Sequence, residues 1–280
     1  MNNIIKQKFK HGIFSYYKND QYIGKSLSEY GEWSEPEIEL LKQVFPYEGN
    51  IVEIGSNIGT HTVPLAKHMS NEGKLIAFEP QTQNYNLLIQ NLSDNNLNNV
   101  KVFKIALSSK ELDAYIPIYK EDEINNFGDA EILADVFPEY KKNFERINVK
   151  SLDQIINKEY GDNFPINLIK CDAQGQELNI ILGSKKIIDT YKPILYLEND
   201  DINTSKNLIE LIKNMGYKMF WHLPSLFNPN NFMKNNNNVF PNLISCNMFC
   251  IHNSTKIELN ESLKKFEIIN SNDHPFKNRI

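Results

Sequence analysis

Two carboxylates flank a glycine turn in this chain. Glu53 stands just ahead of Gly55 in E-I-G-S-N-I-G, which runs on through Asn57 to Gly59, and Glu79 ends the next apolar run in F-E-P, followed by Pro80. A turn leaving a buried parallel strand uses glycine to reach positive φ and to let the backbone approach a ligand. A carboxylate after the second strand can accept both hydroxyls of a ribose, and open α/β sheets bind nucleotides in that crevice. A dinucleotide site would read G-x-G-x-x-G, with a pyrophosphate on the helix amino terminus. Here Ser56 and Asn57 stand where dense glycines would be needed. The spacing therefore disfavours a pyrophosphate, and an acidic residue before the first glycine suits a ligand with a cationic amino-acid end.

A second group of reactive side chains lies further on. Asp172, Glu177, Glu198, Asp200 and Asp201 follow apolar runs that read as strands. In a doubly wound sheet such residues gather on the ligand side. Of the histidines, His61 and His222 fall near these strand ends, whereas His11, His68, His252 and His274 belong to no constellation. For each histidine, packing or surface exposure is the competing reading.

The elements that must position these groups follow from periodicity. Residues 11 to 33 are rich in aromatics, irregular in period, and read as a hairpin or extended arm. Tyr30, Glu32 and Trp33 form an aromatic and acidic cluster beside the glycine turn. S-E-P-E from Ser34 signals a helix start, with Pro36 in the first turn and Glu37 at the capping-box position. Then come a strand at Ile51 to Ile54, a helix from Asn57 to Met69, a strand at Lys74 to Phe78, and a helix whose face is Tyr85, Leu88, Ile89 and Leu92. Val100 to Leu107 reads as the third strand. Residues 108 to 150 interrupt the alternation with an inserted hairpin and an N-F-G turn carrying Phe127. Alternation resumes through strands at Ile166 to Lys170 and Ile194 to Leu197, and ends in two closing strands, Tyr217 to His222 and Asn247 to Ile251. The long Pro-, Asn- and Phe-rich segment between those two reads as a lid. The fold class is α/β with a mostly parallel, Rossmann-like sheet.

The 280 residues, 41% hydrophobic, suffice for one sizeable domain burying about 75% of its unfolded surface. A division follows: an arm and helix over 1–49, a catalytic domain over 50–252 and a tail over 253–280. The net charge of −5 argues against a nucleic-acid surface. Lys6, Lys8 and Lys10 read as a solvated tail. No apolar run is long enough for a membrane span, and no signal-peptide core is evident, so a soluble cytoplasmic protein is expected. Three cysteines, Cys171, Cys246 and Cys250, read as buried thiols.

With these motifs in order, the chain resembles the FkbM-type methyltransferases. The resemblance covers roughly residues 11 to 252 and rests on H-G-x-F, G-E-W-S-E-P-E, E-I-G-S-N-I-G, F-E-P, N-F-G, S-L-D, K-C-D-A-Q-G-Q-E, L-F-N-P-x-N-F and N-M-F-C. It implies a class I methyltransferase fold with a seven-stranded sheet, S-adenosylmethionine as cofactor, and methyl transfer to a hydroxyl of a sugar, glycan or other natural product. Glu53, Gly55, Asn57, Gly59, Glu79, Pro80 and Glu32 are the expected cofactor residues. Asp172 is the first candidate for general base, with His222 and His61 as alternatives. Trp33, Tyr30, Phe127, Glu177 and Glu198 are expected around the acceptor. Gln174 departs from the family, which more often has glutamate there. Mg²⁺ on Asp172, Glu198, Asn199 and Asp200 is the less favoured reading. Rival functions are a nicotinamide-dependent oxidoreductase, which lacks its glycine triplet here, and a cofactor-binding module without turnover. Neither oligomeric state nor the acceptor can be read from the sequence.

Overall fold

The computed structural model describes residues 3–277. The chain opens with an antiparallel hairpin, β1 (Ile4–Phe9) and β2 (Gly12–Tyr17), followed by helices α1 (Ile23–Tyr30) and α2 (Glu35–Val44). Then come β3 (Ile51–Ile54), α3 (Thr62–His68), β4 (Leu75–Phe78), α4 (Thr82–Asp94) and β5 (Val100–Phe103). An insertion holds β6 (Ala106–Leu107), β7 (Leu112–Pro117) and β8 (Phe144–Lys150). The alternation resumes with α5 (Leu152–Tyr160), β9 (Leu168–Cys171), α6 (Glu177–Leu182), α7 (Lys185–Tyr191), β10 (Ile194–Glu198) and α8 (Ile202–Asn214). The last elements are β11 (Tyr217–His222), β12 (Asn247–His252) and α9 (Glu261–Lys264).

Seven strands form one sheet in the order β11-β12-β10-β9-β3-β4-β5. All neighbours are parallel except β12, which runs antiparallel to both β10 and β11. This is the strand order of a class I methyltransferase fold. Chain progression reverses between β3 and β9, so the carboxyl ends of those two strands bound the crevice where such sheets take ligands.

Side chains alternate along each strand, so both sheet faces are buried and each carries its own core. Ile51, Leu75 and Leu168 pack with Leu41 of α2, Leu65 of α3 and Leu88 of α4 on one face. Val52, Ile76 and Ile169 pack with Ile155, Ile181, Ile188 and Ile209 of α5 to α8 on the other. The insertion forms a separate three-stranded sheet, β6-β8-β7, around Ala114, Ile116 and Val149.

Several expectations are corrected. The stretch 11–33 is not strand throughout, because Asp20 accepts from the Tyr22 and Gly24 amides and starts α1, which ends at Gly31 with φ 71°. Lys6 and Lys10 lie on and just after β1 rather than in a solvated tail: Lys6 pairs with Asp94 at 2.7 Å, and Lys10 reaches Glu32 and Glu35. Ser34 makes no capping box, since its hydroxyl donates to the Glu37 carboxylate instead of accepting from a backbone amide. The helix expected from Asn57 begins only at Thr62, because Asn57 (φ 49°) and Gly59 (φ 91°) are left-handed. On α4 the buried face is Asn84, Leu87, Leu88, Asn91 and Leu92, and Ile89 is exposed. Asn91 is buried there because its amide pairs with both Ser15 backbone groups, clamping the hairpin to the helix. The third strand stops at Phe103, and Ala106 and Leu107 pair with β8 in the insertion. Residues after β12 are joined to the sheet: the Trp221 amide donates to Phe266 and the Ile268 amide to Met219. No helix among the described residues is long and apolar enough to cross a membrane. The three cysteines are buried thiols and form no disulfide with one another.

Candidate active site

The first loop leaves β3 through Gly55 (φ 78°), where an added Cβ would lie 1.7 Å from the Asp172 carbonyl oxygen. Only glycine allows these two strand ends to close on each other. Glu79, at the end of β4, accepts from the Asn57 amide (2.8 Å) through one oxygen and from the Gln81 amide (2.9 Å) through the other. Burial raises its pKa to about 7 despite those two amides. Each carboxylate oxygen keeps a further lone pair for a ligand donor.

These groups open on a cavity of about 330 Å³ bounded by the ends of β3, β4, β9 and β10, the insertion and residues 223–246. On its β4 side stand Gly55, Asn57, Glu79, Pro80 and Phe127. Phe127 stacks on Tyr17 with centroids 4.5 Å apart, and its carbonyl accepts from the Asn84 amide at 2.8 Å. The Asn84 Oδ1, by contrast, is buried and has no partner. On the β9 and β10 side stand Asp172, Gln174, Glu198 and Asp200, with Trp33, Glu37, His61 and Asn247 completing the wall. Gln174, in a left-handed conformation with φ 47°, directs its amide to both Glu198 (3.2 Å) and Asp172 (3.5 Å). Burial, then Asp172 and Asp200, push the Glu198 pKa well above the ordinary carboxylate range. The segment 223–246, expected as a lid, contributes Leu226, Ile244 and Ser245 to this wall.

Behind the wall lies a charge the sequence reading missed. Lys170, 2% exposed, places Nζ 3.4 Å from Asp172 Oδ2. It pairs in register with Glu53 on β3. Burial alone would lower its pKa, but Asp172, Glu53, Glu37 and Glu198 outweigh burial and hold the ammonium charged. The clue was available: Glu53 and Lys170 sit at polar positions in otherwise apolar buried strands, where an unpaired charge is untenable.

Not every expected residue reaches the cavity. Glu53 faces the α2 and α3 side, buried beside Lys170, with its pKa raised to about 7 chiefly by burial. Gly59 packs under Leu88 of α4. Glu32 accepts from Asn228 Nδ2 (2.6 Å) and the Phe232 amide (2.9 Å), and the Tyr30 hydroxyl accepts from the Val239 amide and donates to the Asn237 carbonyl. Both therefore anchor residues 223–246. Glu177 accepts from the Ala173 amide at 2.8 Å and holds the turn after β9. His222 lines a different cavity, of about 340 Å³, between α2, β11 and α9. Its Nδ1 meets the Tyr196 hydroxyl at 2.8 Å, and burial lowers its pKa to about 4. His61 does line the main cavity. Burial, then Lys170 and His11, lower its pKa well below the ordinary value, so its imidazole is neutral. Among the described residues no group of three or more His, Cys, Asp or Glu side chains is arranged to hold a metal ion. Asn199 turns its amide onto the Met248 sulfur.

The family model for the FkbM methyltransferase domain matches residues 53–219, well over half of the chain. The chain belongs to the FkbM methyltransferase family. The matched span runs from Glu53 on β3 to the start of β11 and takes in the glycine loop, Glu79 and Asp172. A solved FkbM methyltransferase from Methylobacillus flagellatus is 18% identical, with 76% of this chain and 50% of that one covered and a TM-score of 0.45. The present chain thus spans half the length of that protein. The O-methyltransferase TomG of Streptomyces achromogenes, solved with SAM and involved in tomaymycin synthesis, is 9% identical, with coverages of 78% and 80% and a TM-score of 0.45. Among curated proteins none matches this sequence.

Proposed function

We propose that this FkbM-family chain is an S-adenosylmethionine-dependent O-methyltransferase whose acceptor is a hydroxyl of a sugar, glycan or other natural product. The observation that carries this reading is the arrangement of one cavity: the glycine loop and Glu79 on its β4 side, and the Asp172 carboxylate across from them at the end of β9. The β4 side fits the cofactor. Glu79 retains lone pairs for ribose hydroxyls, and the orphaned Asn84 Oδ1 is a buried acceptor in need of a donor such as an amino or hydroxyl hydrogen. When bound, S-adenosylmethionine supplies an electrophilic methyl on a sulfonium, which the acceptor oxygen takes as the carbon–sulfur bond breaks.

The chain's own residues supply position and a proton acceptor. Asp172, with its side chain 37% exposed, is open to the cavity while Lys170 supplies a fixed positive charge behind it. Its carboxylate takes the hydroxyl proton as the oxygen–carbon bond forms, a role typically worth ~10²–10⁴-fold. His61, neutral and also in the wall, is the second candidate for that proton. Holding the reacting groups in line supplies much of the remainder.

A thermal-shift comparison of S-adenosylhomocysteine with NAD and NADP tests the cofactor. At a hundred times its dissociation constant a ligand stabilises a single-site protein by ~2.7 kcal/mol. A shift with S-adenosylhomocysteine alone is expected. A shift with the nicotinamides alone would overturn the reading in favour of an oxidoreductase.

A further inference from the structure

The acceptor half of the cavity is acidic to an unusual degree. Six carboxylates line the whole cavity, Glu37, Glu79, Asp129, Asp172, Glu198 and Asp200, and no lysine or arginine does so among the described residues. Glu79 belongs to the β4 side, where its oxygens already accept backbone amides. Asp172, Glu198 and Asp200 instead stand at the ends of β9 and β10, on the opposite side of β3 from β4. Lys170 is 2% exposed and lies behind Asp172. It neutralises part of the cluster but is not available to a ligand.

A second observation points to what occupies this half. Asn247 stands directly opposite Glu198 in the antiparallel register of β10 and β12 and lines the same cavity. It is 4% exposed, and its Nδ2 has no hydrogen-bond partner. His61, 6% exposed and also in the wall, sets its Nε2 3.6 Å from Glu37 Oε2. A buried donor left unpaired costs ~1–3 kcal/mol, so the Asn247 amide is built for a polar ligand carrying an oxygen. Carboxylates that outnumber the single buried ammonium of Lys170 favour a ligand that brings positive charge, and they repel one that brings negative charge.

We infer that the acceptor is an amino-bearing polyol, of the amino-sugar class: its ammonium sits against Glu198 and Asp200, a ring oxygen or hydroxyl accepts from Asn247, and the hydroxyl to be methylated faces Asp172. Sugar phosphates, uronic acids and nucleotide-linked sugars are rejected by the same wall. This rests on the methyltransferase reading above and narrows its substrate.

The test separates the two. Binding of S-adenosylhomocysteine alone is measured first by calorimetry, and its absence would overturn the cofactor reading without reference to the acceptor. In the presence of saturating S-adenosylhomocysteine, the protein is then titrated with glucosamine and galactosamine, with glucose and galactose, and with glucuronate and glucose 6-phosphate. The amino sugars are expected to bind about tenfold or more tightly than the parent sugars, as a charge-assisted hydrogen bond implies, and the anionic sugars most weakly. Asp200→Asn is expected to remove most of the amino-sugar advantage while leaving the S-adenosylhomocysteine affinity unchanged. Equal binding across the series, no saturable binding of either amino sugar, preferred binding of an anionic sugar, or an advantage that survives Asp200→Asn would each overturn the inference. So would Mg²⁺ binding that displaces the amino sugars.

Discussion

Lys170 Nζ lies 3.4 Å from Asp172 Oδ2, with the lysine 2% exposed and the aspartate 37%. Two residues of one short motif thus divide the work, one fixing a charge inside the sheet and the other presenting a carboxylate to the cavity. Lys170 also serves Glu53 and Glu37, which are buried with it. Replacing it, as in Lys170→Met, strands those carboxylates without a counter-charge. Breaking a buried ion pair from one side costs ~3–5 kcal/mol, which urea denaturation would read directly. A loss below about 1 kcal/mol would show that the cluster is held by other means.

Asp172→Asn keeps the size and polarity of the side chain and removes its basicity. Turnover is expected to fall by ~10²–10⁴-fold while S-adenosylhomocysteine affinity is retained. Unchanged turnover would transfer the role to His61.

Cofactor affinity should depend on pH through Glu79. Its pKa is about 7 in the ligand-free protein, raised by burial. Ribose hydroxyls donating to it favour the ionised form, so binding lowers that pKa and releases a proton. Affinity for S-adenosylhomocysteine is therefore expected to rise with pH up to about 7 and level off above it. Calorimetry in buffers of different ionisation enthalpy would count the proton. Glu79→Gln should abolish the pH dependence and weaken binding by about tenfold.

Stability should show the opposite slope. Glu53, Glu79 and Glu177 each have a folded pKa of about 7 against an ordinary value of 4.5, with burial as the main cause. Between those values the folded state binds more protons than the unfolded one, so stability falls as pH rises from 4.5 towards about 7. Denaturation midpoints measured across that window check the sign, and a rising midpoint would contradict it.

Gly55→Ala adds a Cβ 1.7 Å from the Asp172 carbonyl, at a position whose φ is 78°. Overlap of that kind costs ~1–3 kcal/mol or more and moves the end of β9. Both S-adenosylhomocysteine binding and thermal stability are expected to drop together, whereas a variant with unchanged binding would separate the loop from the cofactor.

Glu32→Ala removes the acceptor for Asn228 and the Phe232 amide. Cleavage within residues 223–246 in limited proteolysis is expected to quicken, with the rest of the chain still resistant. Equal cleavage rates would mean that Tyr30 and Glu29, which accepts from the Asn235 amide, hold the segment without it.

Much of this was legible from the residues. Apolar runs ending in Glu53-Ile54-Gly55 and Phe78-Glu79-Pro80 specify buried parallel strands, with Glu79 on the ligand side, because the local pattern and the sheet's burial agree there. The separated motifs likewise specify the family. The helix α1 was also written locally, in Asp20 as its start and Gly31 as its stop, although the surrounding aromatics obscured it. Other features have no local signature. Whether a strand-end carboxylate faces the cavity or the sheet interior depends on neighbouring strands, so Glu53 turns to Lys170 while Asp172, on the adjacent strand, opens to the cavity. Glu32 and Tyr30 hold residues 223–246 from about two hundred positions away, and His222 belongs to a second cavity. Sequence alone thus determined which strands end in carboxylates and which family the chain resembles, because period and turn chemistry are local. Which carboxylates gather on one wall, and that Asn247 stands opposite Glu198, only the tertiary structure decided, because register between distant strands is set by packing the whole sheet.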